Sequence, residues 1–203
     1  MSAAVPSSPE FGLSCPIVSS PQTLALLAGR RSSSAALLQA PGPSAHELDD
    51  LIRLSARVPD HGKLEPWRFV VLEGAAKSRI VEALKPLAAE ESNPEKAAAA
   101  LAKLSGPPVS VLVVAKAPSP KMPAWEQELS AGAVCTVMLI AAEAMGYGAN
   151  WITDWYSYAP AATEVLGLEE GERVAGFIHL GTPAEPPLER ERPDLGALVS
   201  RPL

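Results

Sequence analysis

The chain has 203 residues, 47% hydrophobic and 20% charged, with a net charge of −6. This is enough for one domain with a full core, and the acidic balance excludes general binding to nucleic acid or anionic membranes, which needs surplus Lys and Arg. Two cysteines without a C-x-x-C pair exclude a disulfide framework, and His46, His61 and His179 lack metal-ligand spacing, so no metal site is predicted.

Residues 1–20 are rich in Ser, Pro and Ala and lack the basic and apolar regions of a secretory signal. They read as a flexible extension to a single domain over 21–203. The segment 22–29 predicts a short helix ending at Arg30-Arg31, where positive charge complements the helix dipole. Ser44 with Glu47 three residues on forms a capping box for a helix that must stop near Pro59. A strand at 67–73 and a helix at 75–89 follow, then a helix over 94–104 capped by Asn93. The apolar run 108–116 predicts a strand buried on both faces.

The longest helix is predicted at 123–146, with apolar residues around nearly its whole circumference. In a chain this short such a helix predicts a dimer, with Val137 and Met138 on the interface. Its most apolar stretch, 131–142, is too short to span a bilayer, so no transmembrane segment and a cytoplasmic location are expected. Strands at 148–153 and 174–181, with a helix at 161–166, complete an α/β or α+β sandwich. Aromatics are scarce, three Phe, three Tyr and four Trp, yet Tyr147, Trp151, Trp155, Tyr156 and Tyr158 cluster together. They either wall a pocket for a planar ligand or pack a core.

No G-x-S-x-G or G-x-x-x-x-G-K-[ST] occurs, and Gly146-Tyr147-Gly148 lies between a helix and a strand, the wrong order for a Rossmann turn. What remains is basic. Arg30, Arg31 and three following serines offer guanidinium forks and hydroxyls suited to a phosphate, or form a solvated helix end. Arg57 and His61 project from the turn at Pro59, and Arg190 and Arg192 lie near the C-terminus.

R-R-S at 30–32, A-R-V-P-D-H-G-K-L-E-P-W-R-F at 56–69, W-E-Q-E-L-S-A-G-A at 125–133 and G-F-I-H-L-G-T-P at 176–183 occur in that order. In this the chain resembles the nitroreductase family of FMN-dependent NAD(P)H oxidoreductases, in its compact bacterial subgroup. The resemblance implies an α+β sandwich, a central mixed sheet of about four or five strands flanked by helices, in an intertwined homodimer whose two FMN sites are shared between subunits.

By the same resemblance Arg30, Arg31 and Ser32 hold the phosphate and ribityl end of FMN, Arg57 and His61 contact it from the next turn, and Arg192 is a further phosphate ligand. Trp151, Ile152 and Thr153 lie beside the cofactor, although many relatives have W-R-[ST]-G where this chain has W-I-T-D. Ala141, Ala142, Glu143, Ala144, Met145 and Gly146 match a stretch that binds the nicotinamide nucleotide. The implied reaction is ping-pong: NADH or NADPH passes a hydride to flavin N5, and a nitroaromatic, quinone or other electron-poor small molecule takes the electrons. No side chain then needs to be a nucleophile. Two alternatives are a same-fold flavoenzyme doing dehalogenation or flavin cleavage, for which a lid at 86–108 would speak, and a non-catalytic FMN-binding protein.

Overall fold

The computed structural model describes residues 4–201. Nine predicted elements form within one or two residues of their expected ends. They are α1 (Pro21–Gly29), α2 (Ala45–Ser55), β2 (Trp67–Glu73), α3 (Gly74–Glu90), α4 (Pro94–Ser105), β3 (Val109–Ala115), α5 (Ala124–Ala144), β4 (Gly148–Ile152) and α6 (Pro160–Val165). A tenth, β5 (Arg173–Pro183), extends beyond its expected end. The two-residue strand β1 (Leu38–Gln39) and the short tail helix α7 (Leu195–Leu198) carry too little periodicity to be read from sequence. The Ser44 box closes as expected, with the Ser44 side chain accepting from the Glu47 amide and the Glu47 side chain from the Ser44 amide. Asn93 caps α4 through the Lys96 amide.

The sheet is antiparallel in every pair, which corrects the expected mixed sheet. The α3–α4 hairpin returns the chain to the end where β2 finished, so β2 and β3 run in opposite directions. A single helix, α5, joins β3 to β4, and those two strands are parallel in direction. They are not neighbours. Strand β5 lies between them, antiparallel to both: Val111 of β3 and Trp151 of β4 are both paired with Ile178.

Alternation along these strands divides the core into two layers. Val109, Val111, Val113, Ile178 and Leu180 face α2 and α5, meeting Leu48, Leu51, Val134, Cys135 and Met138. Leu112, Val114 and Phe177 face α3, α4 and α6, meeting Leu84, Leu101, Leu104 and Leu166. Each fully buried aliphatic side chain contributes about 1.5–3 kcal/mol. All seven residues of β3 are buried, Ser110 included, as its largely apolar run predicts.

Helix α5 is less enclosed than its composition implies. Met138 is buried within its own chain and packs on the sheet, so it does not lie on an interface. Trp125, Leu129 and Thr136 are exposed, in a stripe with the small residues Gly132 and Ala133 between them. Helix α1 buries none of its nine residues, and leaves Leu24 and Leu27 exposed. The N-terminal segment is tethered at one point: Val5 packs against the α2/α5 core while Arg53 donates to the Pro6 carbonyl and the Ser8 hydroxyl.

One ion pair ties the β2 edge to the loop before β5. Arg68 holds the largely buried Glu172 through Nε and Nη2, at 2.7 and 2.6 Å, and also donates to the Gly167 carbonyl. The Arg68 hydrogen bond holds the Glu172 carboxyl below its ordinary value of 4.5. A depressed carboxyl contributes stability that is full above the ordinary glutamate range and is lost as pH falls through the folded value. Glu172→Gln is expected to cost about 1–3 kcal/mol at neutral pH and to shrink the acid-side loss of stability, as read by urea melts at neutral and acidic pH.

Candidate functional site

Residues distant in sequence form one cationic group. The Arg192 Nη2 donates to the Arg30 carbonyl at 3.2 Å, across 162 positions. Arg30 Nη1 donates to the Ser32 hydroxyl at 3.3 Å, and Arg31 Nε to the Leu188 carbonyl at 2.9 Å. Among the described residues the one carboxylate paired with any of these three guanidinium groups is Glu189, 2.9 Å from Arg192 and 3.8 Å from Arg31. The group therefore carries a surplus of two positive charges, the complement of a phosphate dianion.

The backbone under this group is fixed by β4. The Ser33 amide donates to the Ala149 carbonyl at 3.0 Å, and the Asn150 side-chain amide donates to the Ser33 carbonyl. No sequence motif marks Asn150 for this role. Its neighbours Trp151 and Ile152 end β4, and Thr153 follows, so the arginine segment lies along the same strand that leads into 151–153.

Arg57 and His61 lie on the turn after α2 and form a second group. Asp60 builds that turn by accepting the amides of Leu64 and Glu65 at 3.1 and 2.8 Å, while Gly62, Lys63 and Glu65 take positive φ. Ser130 of α5 anchors it, donating to the Pro59 carbonyl at 2.8 Å and accepting from Trp67 Nε1. His61 Nδ1–H donates to Glu126 at 2.6 Å, so the ring is oriented and Nε2 is left for another partner. Glu126 lies in the W-E-Q-E motif, but its service to His61 requires the fold to be seen. The Arg57 side chain is exposed. Among the described residues no hydrogen bond or ion pair joins this second group to the arginine group.

The Trp151 ring packs against Gly176, where any Cβ would collide with it, and donates from Nε1 to the Ala175 carbonyl at 3.1 Å. Beside it a cavity of about 210 Å³ is bordered by Gly132, Glu128 and Arg173. Ile152 is half-buried and Thr153 exposed. Asp154 caps the next turn by accepting the Trp155 amide at 2.8 Å. Of the stretch 141–146, Ala141, Ala142 and Met145 are packed in the core. Glu143, Ala144 and Gly146 remain reachable at the helix end, where Gly146 takes φ +86°.

The aromatic cluster divides between the layers. Tyr156 is fully buried edge-on to Phe177, and Trp155 packs beside it and donates to the Ala97 carbonyl, so both belong to the α3/α4 core. Tyr147 packs against the opposite core, and Trp151 stands on the α5 side. Tyr158 is exposed.

The described residues contain no metal-binding group of His, Cys, Asp and Glu, and no helix long and apolar enough to cross a membrane. The nitroreductase family model matches residues 27–182. Among curated proteins, "Putative NAD(P)H nitroreductase YdjA" of Escherichia coli is 35% identical over 162 residues, covering 79% of this chain and 87% of that protein. A nitroreductase-like family protein from Bacillus cereus superposes with a TM-score of 0.80 at 19% identity, covering 92% of this chain and 98% of that one. A nitroreductase with bound FMN from Bacteroides fragilis gives 0.68 at 20% identity, over 90% and 99%. By the match along most of its length and by this identity, the chain belongs to the nitroreductase family.

Proposed function

We propose that the protein is an FMN-dependent NAD(P)H oxidoreductase that reduces nitroaromatics, quinones or similar electron-poor small molecules by a ping-pong mechanism. The observation that carries this reading is the arginine group: three guanidinium groups against one carboxylate fit the phosphate end of FMN. When bound, FMN supplies the redox chemistry by taking a hydride from NAD(P)H and returning electrons to the acceptor.

The protein's own residues position and shield. Arg30, Arg31, Ser32 and Arg192 bind the phosphate end, on a backbone fixed by Ala149 and Asn150. Trp151, Ile152 and Thr153 border the cofactor, and a backbone contact at Ile152 stands in for the absent Arg. Arg57 and His61 supply donors to the flavin, with His61 oriented by Glu126. Glu143, Ala144 and Gly146 are the members of 141–146 that a nicotinamide nucleotide can reach.

The two groups reach one flavin through a homodimer. The exposed Trp125–Leu129 stripe and the uncovered α1 support this, because an apolar nine-residue helix with no buried side chain needs a partner surface. The segment 86–108, which a lid reading would require, instead packs Ala97, Ala100, Leu101 and Leu104 into the core. This favours reductase chemistry over the substrate-specific alternatives.

Three outcomes test the reading. The purified protein shows a flavin band that bleaches on anaerobic mixing with NADH or NADPH; a protein that binds FMN but bleaches with neither is a binding protein. Arg31→Ala weakens FMN binding about tenfold to a hundredfold in fluorescence titration, the worth of a charge-assisted bond. Leu129→Asp yields a monomer by light scattering and releases FMN, whereas a yellow monomer would contradict the shared site.

A further inference from the structure

Among the described residues one buried charge, that of Lys77, has no counter-ion. Lys77, on the first turn of α3, is 4% exposed. Its ammonium donates to the Pro107 carbonyl at 2.5 Å and to the Ser110 hydroxyl at 2.8 Å. Ser110 Oγ in turn shares a 2.7 Å hydrogen bond with Nδ1 of the fully buried His179. Burial and the neighbouring Lys77 push that imidazole down to about 3.

An ammonium has three N–H donors, and only two have acceptors here. No carboxylate lies within ion-pair distance of Lys77 among the described residues. A cation buried this way is expensive unless an anion reaches it. Beside it opens a cavity of about 480 Å³, the size of a small-ligand site. Its wall includes Lys77, Ser78, Ser105, Gly106 and the rim pair Lys85–Glu82, which is joined at 2.6 Å and neutralises itself. The net charge of the lining is therefore that of Lys77 alone.

We propose that this cavity binds a small organic anion whose carboxylate or phosphate head accepts the third N–H of Lys77. The cavity lies on the α3/α4 side of the sheet, opposite α5, and the proposal does not depend on the flavin reading. The charge, the unused donor and the cavity together specify an oxyanion, with the remaining volume available to a short carbon skeleton.

The test titrates the protein as purified, with any flavin it carries, in low-chloride buffer by calorimetry. Sulfate serves as a non-titrating stand-in for a phosphate head, and acetate for a carboxylate. Saturable one-to-one binding of either probe is expected, weakened about tenfold or more in Lys77→Met with the visible spectrum unchanged. Sulfate and acetate separate the two head groups. Independently of any variant, burial lowers the Lys77 amine to about 8. Affinity of the unmodified protein for sulfate should therefore fall about tenfold per pH unit above that value. The facing groups His179, already neutral, and the Lys85–Glu82 pair do not impose this profile. Absence of saturable binding, equal binding by Lys77→Met, or affinity constant across that pH range would each overturn the proposal.

Discussion

The insertion of β5 between β3 and β4 is the constraint on which the rest of the structure depends. Its residues pair with β3 on one edge and β4 on the other, and its last two positions take up β1. By separating the two strands that α5 connects, it places that helix across the sheet and brings the end of β4 beside the glycine at 176. There the Trp151 ring fits only because Gly176 has no Cβ. Beyond β5 the chain runs on to Leu188, Glu189 and Arg192, which meet the arginines at the end of α1.

The consequence is electrostatic. In a chain of net charge −6, a local excess of two positive charges is held together by backbone carbonyls and one carboxylate. Three guanidinium groups sharing one carboxylate, with the Ser32 hydroxyl and the Leu188 and Arg30 carbonyls as their other acceptors, keep donors free for a phosphate. The turn at Pro59 is oriented differently, through Asp60, Ser130 and Glu126. The two groups do not touch within one chain, and this gives the exposed faces of α1 and α5 their proposed role.

Local chemistry was legible in the sequence. The Ser44 box, the Asn93 cap and the apolar run of β3 each fix their element through nearest neighbours alone, and all three form as read. The sheet's sense was not legible, because a β–α–β spacing implies parallel strands and only long-range pairing reveals that β5 separates them. Circumferential hydrophobicity also misled on part of α5: Met138 serves its own core, whereas Val137 is half-buried and Trp125 and Leu129 are exposed. Of the site, the arginines and the His61 turn were visible as motifs. Asn150, Glu189 and the anchoring role of Glu126 act across the fold, and no spacing announces them. Asp154, a departure from the family pattern, is explained by the cap it forms on the turn after β4.

In the proposed site a phosphate is held where segments 162 residues apart converge, and the rest of the cofactor is reached by a second copy of the chain. A crystal structure of the protein saturated with FMN tests this arrangement directly. The phosphate is expected within hydrogen-bonding distance of Arg31 and Arg192, in a site bordered by two chains. A phosphate bound away from the arginines, or a flavin enclosed by a single chain, would contradict it.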